Sequence, residues 1–250
     1  MSNIVNNLKN ALDRNKTFRP KHKFIKGSNQ HTLHKYKKET LGSGDLTEAV
    51  KLPQDENLNE WLAINTVDFY NTTNLLYGSL GENCTRDTCP IMCAGDKYEY
   101  LWMDGKDYKK ATKLSAPEYV ALLMDWICHI VNDENAFPSD PTKFPKSFLT
   151  IVKTIFKRMF RVYAHMYYNH FKDAQQLNLD RHLNTAFKHF MCFVNEFDLI
   201  DKKEVEPLKG VIADLLGNTR SYNDIDDSNS PPTNSNNNTS GTTSEPTESE

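Results

Sequence analysis

FPKSFLTIVKTIFKRMFRVYAHMYYNHF, residues 144–171, decides the fold. Phe148, Ile151, Val152, Ile155, Phe156, Met159 and Phe160 recur at three- and four-residue intervals, so one side of a helix opened by Pro145 is apolar over several turns. At ~1.5 Å per residue the run predicts a helix of about 37 Å, the longest element of the chain. Its other side carries Lys153, Lys157 and Arg161, spaced four apart, with Arg158 between them. Such a strip either faces water or grips a phosphate group, for which Arg offers paired donors and a neighbouring Lys a point charge. No glycine-rich phosphate cradle accompanies it.

The same stretch ends on His165 and His170, and the loop CTRDTCPIMCAG before it holds Cys84 and Cys89 with the same gap of four residues. Two thiolates and two imidazoles in paired short spacings are the donor set of a closed, tetrahedral zinc site. Five residues of α-helix rotate by about 140°, so both imidazoles cannot share one face, and the helix is expected to end or kink between Ala164 and His170. Cys93, three residues beyond Cys89, is placed to replace either thiolate. The competing reading is that the cysteines are loop thiols and the histidines an aromatic helix end. Cys128 and Cys192 fall inside apolar helical patterns and read as core, and His129, His182 and His189 read as ordinary helix residues. A catalytic zinc needs an open coordination position and a base; a full donor set without an HExxH-like element points to a structural ion and argues against a hydrolase.

The remaining elements follow from caps and periods. LNEWLAINTVDFYNTTNLLYGSL reads as a helix starting at an Asn cap, stopping near Gly78 or Gly81, with Glu56, Glu60 and Asp68 on its far face. Asp45 and Glu48 have the spacing of a capping box for a short helix, as have Ser115 and Glu118 for a core helix with Tyr119, Leu122, Leu123, Trp126, Ile127 and Ile130. Asp104-Gly105 between aromatic runs predicts a two-stranded ribbon. Two further helices are expected, at about 180–198 and at 202–216, the latter capped by Asp201 and closed by Gly217. The fold class is mostly α, a helical bundle with one hairpin.

The net charge of −3 hides an asymmetry. Residues 1–38 carry ten Lys/Arg against the single acid Asp13, whereas residues 221–250 carry six acids and no Lys or Arg. The basic arm suits folding back on an acidic body or serving a partner better than nucleic acid, because no aromatic stacking motif or Arg-rich helix accompanies it. The tail has almost no apolar residue to offset the entropy of ordering and is expected to be disordered. These shifts divide the chain into an arm (1–40), a helical domain (41–218) and a tail (219–250). No run approaches the ~20 apolar residues of a membrane helix, and the first residues lack the apolar stretch of a signal peptide. Five cysteines without a secretory signal argue against a disulfide framework. The expected location is the cytoplasm or nucleus.

KTFRP, TLGSG, LNEWLAINTVDFYN, LYG, KYEYLW, SAPEYV, FKRMFRVYAHMYYNHF, HLNTAFKHF and EFDLID together resemble the Mob (Mps one binder) family of kinase activators, across about residues 15–216. The chain looks most similar to the subclass that activates NDR/LATS kinases in Hippo-type and mitotic-exit signalling. That resemblance implies a non-catalytic adaptor, a helical domain around a four-helix bundle, and a structural Zn2+ held by the residues matching Cys84, Cys89, His165 and His170. It implies that Lys157, Arg158 and Arg161 receive a phosphothreonine peptide from an upstream Ste20/Hippo-type kinase or a scaffold. It further implies that Glu56, Glu60 and Asp68, on the helix of Trp61, meet a basic N-terminal regulatory helix of the NDR/LATS kinase. Thr17 and Thr40 match threonines phosphorylated by the upstream kinase, and the spindle pole or centrosome is a further implied location. The resulting expectation is a relay: the arm partly covers the kinase surface, and phosphorylation, which adds about −1.5 to −2 of charge, frees it. Cys93, the longer N-terminus and the Asn/Ser/Thr tail depart from the family pattern without touching these sites.

Overall fold

The computed structural model describes residues 44–217 together with Thr32, Leu33, Tyr36 and Lys37. Asp45 starts the first helix, α1 (Leu46–Ala49), its carboxylate accepting from the Thr47 and Glu48 amides. Glu48 does not complete the expected box; its carboxylate turns outward to Lys51 at 2.6 Å. Asn57 caps α2 (Leu58–Leu80) through the Asn59 and Glu60 amides. Two threonines inside α2 are fully buried without stranding a hydroxyl, because Thr66 and Thr73 donate back to the carbonyls of Leu62 and Phe69.

After α2 the chain makes a short antiparallel pair, β1 (Cys93–Ala94) with β2 (Tyr98–Glu99), turned by Gly95 at φ +62°. A Cβ at Gly95 would lie 2.9 Å from the Tyr168 ring, so both the backbone angle and the close approach demand glycine. The ribbon thus forms ahead of the expected place. Around Asp104-Gly105 only the single bridge Trp102–Thr112 closes. There the Asp104 carboxylate accepts from the Lys106 and Tyr108 amides, which holds a wide loop where a two-residue hairpin turn was expected.

Ser115 opens α3 (Ala116–Val131), with Glu118 accepting from the Ser115 amide and hydroxyl, as the capping-box spacing predicts. The long stretch forms α4 (Phe148–Asn169), 22 residues and thus about 33 Å. It is followed by α5 (Phe171–Gln176) and α6 (Asp180–Glu196). The expected helix at 202–216 is broken into α7 (Lys202–Val205), a 3-10 turn at Glu206–Leu208 and α8 (Lys209–Leu216). Pro207 in that turn has no amide to continue the α ladder. Gly217, at φ +67°, ends the last helix. Among the described residues no helix is long and apolar enough to cross a membrane.

α4 is the spine. It packs on α2, α3 and β1, while α2 also packs on α3 and α6. Where α4 meets α6 and α2 the core is aromatic: Phe156 stacks on Phe190 and Phe193 at centroid distances of 5.3 and 5.5 Å, and Phe69 meets Phe156 edge-on at 5.6 Å. All are buried, so they contribute both removed apolar area and the preferred aromatic geometries. Cys192 is buried as read from the sequence, whereas Cys128 is only half-buried. Truncating Phe156 to Ala is expected to cost about 3–5 kcal/mol in denaturant unfolding, against less than about 0.5 kcal/mol for Leu149→Ala on the exposed side of the same helix. Equal losses would contradict this account of the spine.

Candidate functional site

The loop after α2 is built to present two thiols. Cys89 donates its amide to the Thr85 carbonyl, and Thr88 Oγ1 donates to the Asn83 carbonyl at 2.7 Å while accepting from the Thr85 amide. Cys84 and Cys89 point inward against the end of α4, which stops at Asn169; His170, at φ −130°, joins α4 to α5. This break turns the second imidazole back, as the helical rotation required. Sγ and Nε2 atoms of Cys84, Cys89, His165 and His170 all lie within 4.8 Å of one another, in full burial. Cys84 Sγ is 3.5 Å from His165 Nε2, and Cys89 Sγ is 3.3 Å from His170 Nε2.

The far ring nitrogens are already engaged. His165 Nδ1 lies 2.8 Å from the Cys93 carbonyl, and His170 Nδ1 lies 2.8 Å from the Asp173 carboxylate. Each Nδ1 therefore carries the proton and each Nε2 presents its lone pair to the cluster, the arrangement that orients histidine ligands. The Tyr77 hydroxyl donates to Cys84 Sγ at 3.2 Å. Burial pushes the Cys84 thiol up to about 12 and His165 down to about 4, both shifts reflecting the cost of charge in a dry site. A divalent cation reverses that logic for a thiol, which coordinates as the thiolate. The four side chains can hold a metal ion. Cys93, an open alternative in the sequence, contributes its carbonyl to His165, while its Sγ lies 3.9 Å from Asn169 Nδ2 and outside the cluster.

The basic strip is not a uniformly solvated face. Lys153 pairs with the exposed Asp198 at 3.3 Å. Arg158 lies between the rings of Trp102 and Trp126, 4.6 and 4.4 Å from their centroids, and donates Nη2 to the Met103 carbonyl at 2.7 Å. Arg161 sits over the Tyr100 ring at 5.3 Å and donates Nη1 to the Tyr119 hydroxyl. Burial pulls Arg158 below its ordinary value; for Arg161 burial acts the same way, but Tyr119 and Glu204 outweigh it. Four buried side-chain N/O atoms among the described residues lack a hydrogen-bond partner, and three are here: Tyr100 Oη, Arg158 Nη1 and Arg161 Nε.

The acidic residues of α2 divide differently from the expectation. Glu56 precedes the helix, and Glu60 is 2% exposed, so it does not lie on a solvent face. Trp61 is fully buried, its indole N–H donating to the Val50 carbonyl. The helical periodicity places Glu60 beside Trp61, but packing from outside α2 decides which side is covered. Asp68 stays one-third exposed and accepts from Lys37 Nζ at 2.7 Å. Lys37 also lies over the Phe69 ring, and burial holds its ammonium below the ordinary range despite Asp68. Tyr36 meets Trp61 edge-on. Thr17 and Thr40 lie outside the described residues.

The Mob1/phocein family model matches residues 38–208. The chain belongs to that family. It is 59% identical over 204 residues to MOB kinase activator-like 1 homolog B of Dictyostelium discoideum, covering 81% of this chain and 94% of that protein. It is 55% identical over 208 residues to MOB kinase activator-like 1A of Arabidopsis thaliana, covering 82% and 97%. The sequence reading of this Mob-family chain missed Asp173 and Tyr77, although Asp173 stands one helical turn after His170, a spacing that could have flagged it. Glu204 and the aromatic partners of the arginines carried no local signal. Asp173→Ala is expected to weaken metal binding about 10–100-fold in competition titrations with a chelator, and Cys93→Ala to leave it unchanged. The reverse ranking would make Cys93 a ligand.

Proposed function

We propose that this chain is a non-catalytic adaptor and co-activator of an NDR/LATS-type Ser/Thr kinase, stabilised by a zinc ion on Cys84, Cys89, His165 and His170. Its relatives are named as kinase activators, which supports the activator role, and the sequence resemblance supports the partner class. Zinc is favoured by the Cys2His2 donor set, complete at four ligands and buried, which leaves no position for a reacting water.

The observation that carries the reading is the Lys37–Asp68 pair on α2. A lysine of the basic arm already sits on this side of α2, the chemistry a basic kinase segment would repeat. Exchange between the two is inexpensive, since each lysine finds the same carboxylate. Phosphorylation of Thr17 or Thr40 adds charge to the arm and shifts that exchange toward the kinase. Lys157, Arg158 and Arg161 receive a phosphothreonine peptide of an upstream Ste20/Hippo-type kinase or scaffold. The unbonded donors of the two arginines support this, because a phosphate offers three strong acceptor oxygens. Buried Glu60 and Trp61 then act by holding α2 in place, and Glu56 and Asp68 provide the accessible charge.

The test is an affinity titration against an NDR/LATS N-terminal regulatory segment. Removing residues 1–40 is expected to tighten binding, and Asp68→Lys to abolish it in both forms. Asp68 suits the test better than Glu60, whose reversal would bury a mismatched charge and unfold the site. Absence of binding by wild-type and truncated protein alike would refute the kinase assignment.

A further inference from the structure

Resting on the phosphothreonine reading of the basic strip, we propose that Glu204 is a built-in competitor whose carboxylate occupies the phosphate position and must be displaced by the ligand. Glu204 lies on the short α7, far in sequence from the strip, yet its two oxygens divide between its cations: Oε1 is 3.8 Å from Lys157 Nζ and Oε2 is 3.5 Å from Arg161 Nη2. Both separations exceed the roughly 2.7–2.9 Å of a strong charge-assisted hydrogen bond. The carboxylate neutralises the cations without saturating them, and Arg161 Nε keeps no hydrogen-bond partner.

The geometry favours one kind of replacement. A phosphate monoester carries about −1.5 to −2 of charge and three acceptor oxygens, enough to take Lys157 and Arg161 together at hydrogen-bonding distance. A carboxylate from an acidic peptide brings one charge and two oxygens, so it gains nothing over Glu204. The competitor thereby sets a threshold that a phosphorylated residue crosses and an aspartate or glutamate does not. Glu204 is one-third exposed, so the displaced side chain can swing into water with little loss.

The probe is N-acetyl-O-phosphothreonine N-methylamide, with inorganic phosphate in parallel, followed by the fluorescence of Trp102 and Trp126, which flank Arg158. Glu204→Gln is expected to tighten binding by about two- to fivefold, the upper part of the range for an exposed ion pair. Glu204→Asp keeps the charge but withdraws the carboxylate by about one bond, ~1.5 Å, and is expected to tighten binding in the same direction. Asp198→Asn, which removes an equal charge from Lys153, is expected to change affinity less than about twofold. Should wild-type protein bind while Glu204→Gln and Glu204→Asp bind equally or more weakly, with melting temperatures kept, the competitor role is overturned and the basic site stands. Tightening in Glu204→Gln alone, or an equal gain in Asp198→Asn, would reduce the effect to net charge and overturn displacement as well. Absence of saturable wild-type binding to either probe would overturn the phosphothreonine reading itself.

Discussion

Four buried ligand atoms within 4.8 Å of one another join the loop after α2 to the end of α4, and the placement of the charged surfaces depends on that clamp. Arg158, Arg161 and His165 stand at positions i, i+3 and i+7, a single stripe along α4. The segment that follows the cysteines lies along the same stripe. Its Cys93 carbonyl meets His165, its Tyr100 ring meets Arg161, and its Trp102 ring meets Arg158. Rotating or sliding α4 would break the ligand set and the arginine contacts together. A metal ion in the clamp would therefore set the register of the basic site from about two helical turns away.

The two charged surfaces share a design. Each presents charge that the chain itself neutralises: Lys37 on Asp68, and Glu204 on Lys157 and Arg161. On the proposed reading, binding at either surface is an exchange of ion pairs, so neither surface has to expose a bare charge before a partner arrives. Exchange costs less than creating a buried pair anew, because the desolvation of the fixed group is already met.

Much of this was legible in the sequence because it is local. The 3.6-residue period of residues 148–160 gives the apolar side of α4, the Ser115/Glu118 spacing gives the start of α3, and the rotation between His165 and His170 demands the break seen at His170. Failures arose where tertiary contacts or a single backbone group decide. Pro207 splits the last helix, the Asp104 carboxylate widens a loop whose residues resemble a tight hairpin, and packing covers Glu60 where a helical wheel leaves it facing water. The aromatic sandwich around Arg158 joins residues 102, 126 and 158, and no spacing rule links them.

Metal analysis combined with chelation tests the clamp most directly. One zinc ion per purified chain is predicted, and its removal should erase the near-ultraviolet circular dichroism of the packed tryptophans and lower the melting temperature, both restored by adding zinc. A metal-free chain with the same dichroism and the same melting temperature would contradict the claim that the ligand cluster holds α4 and the basic site in register.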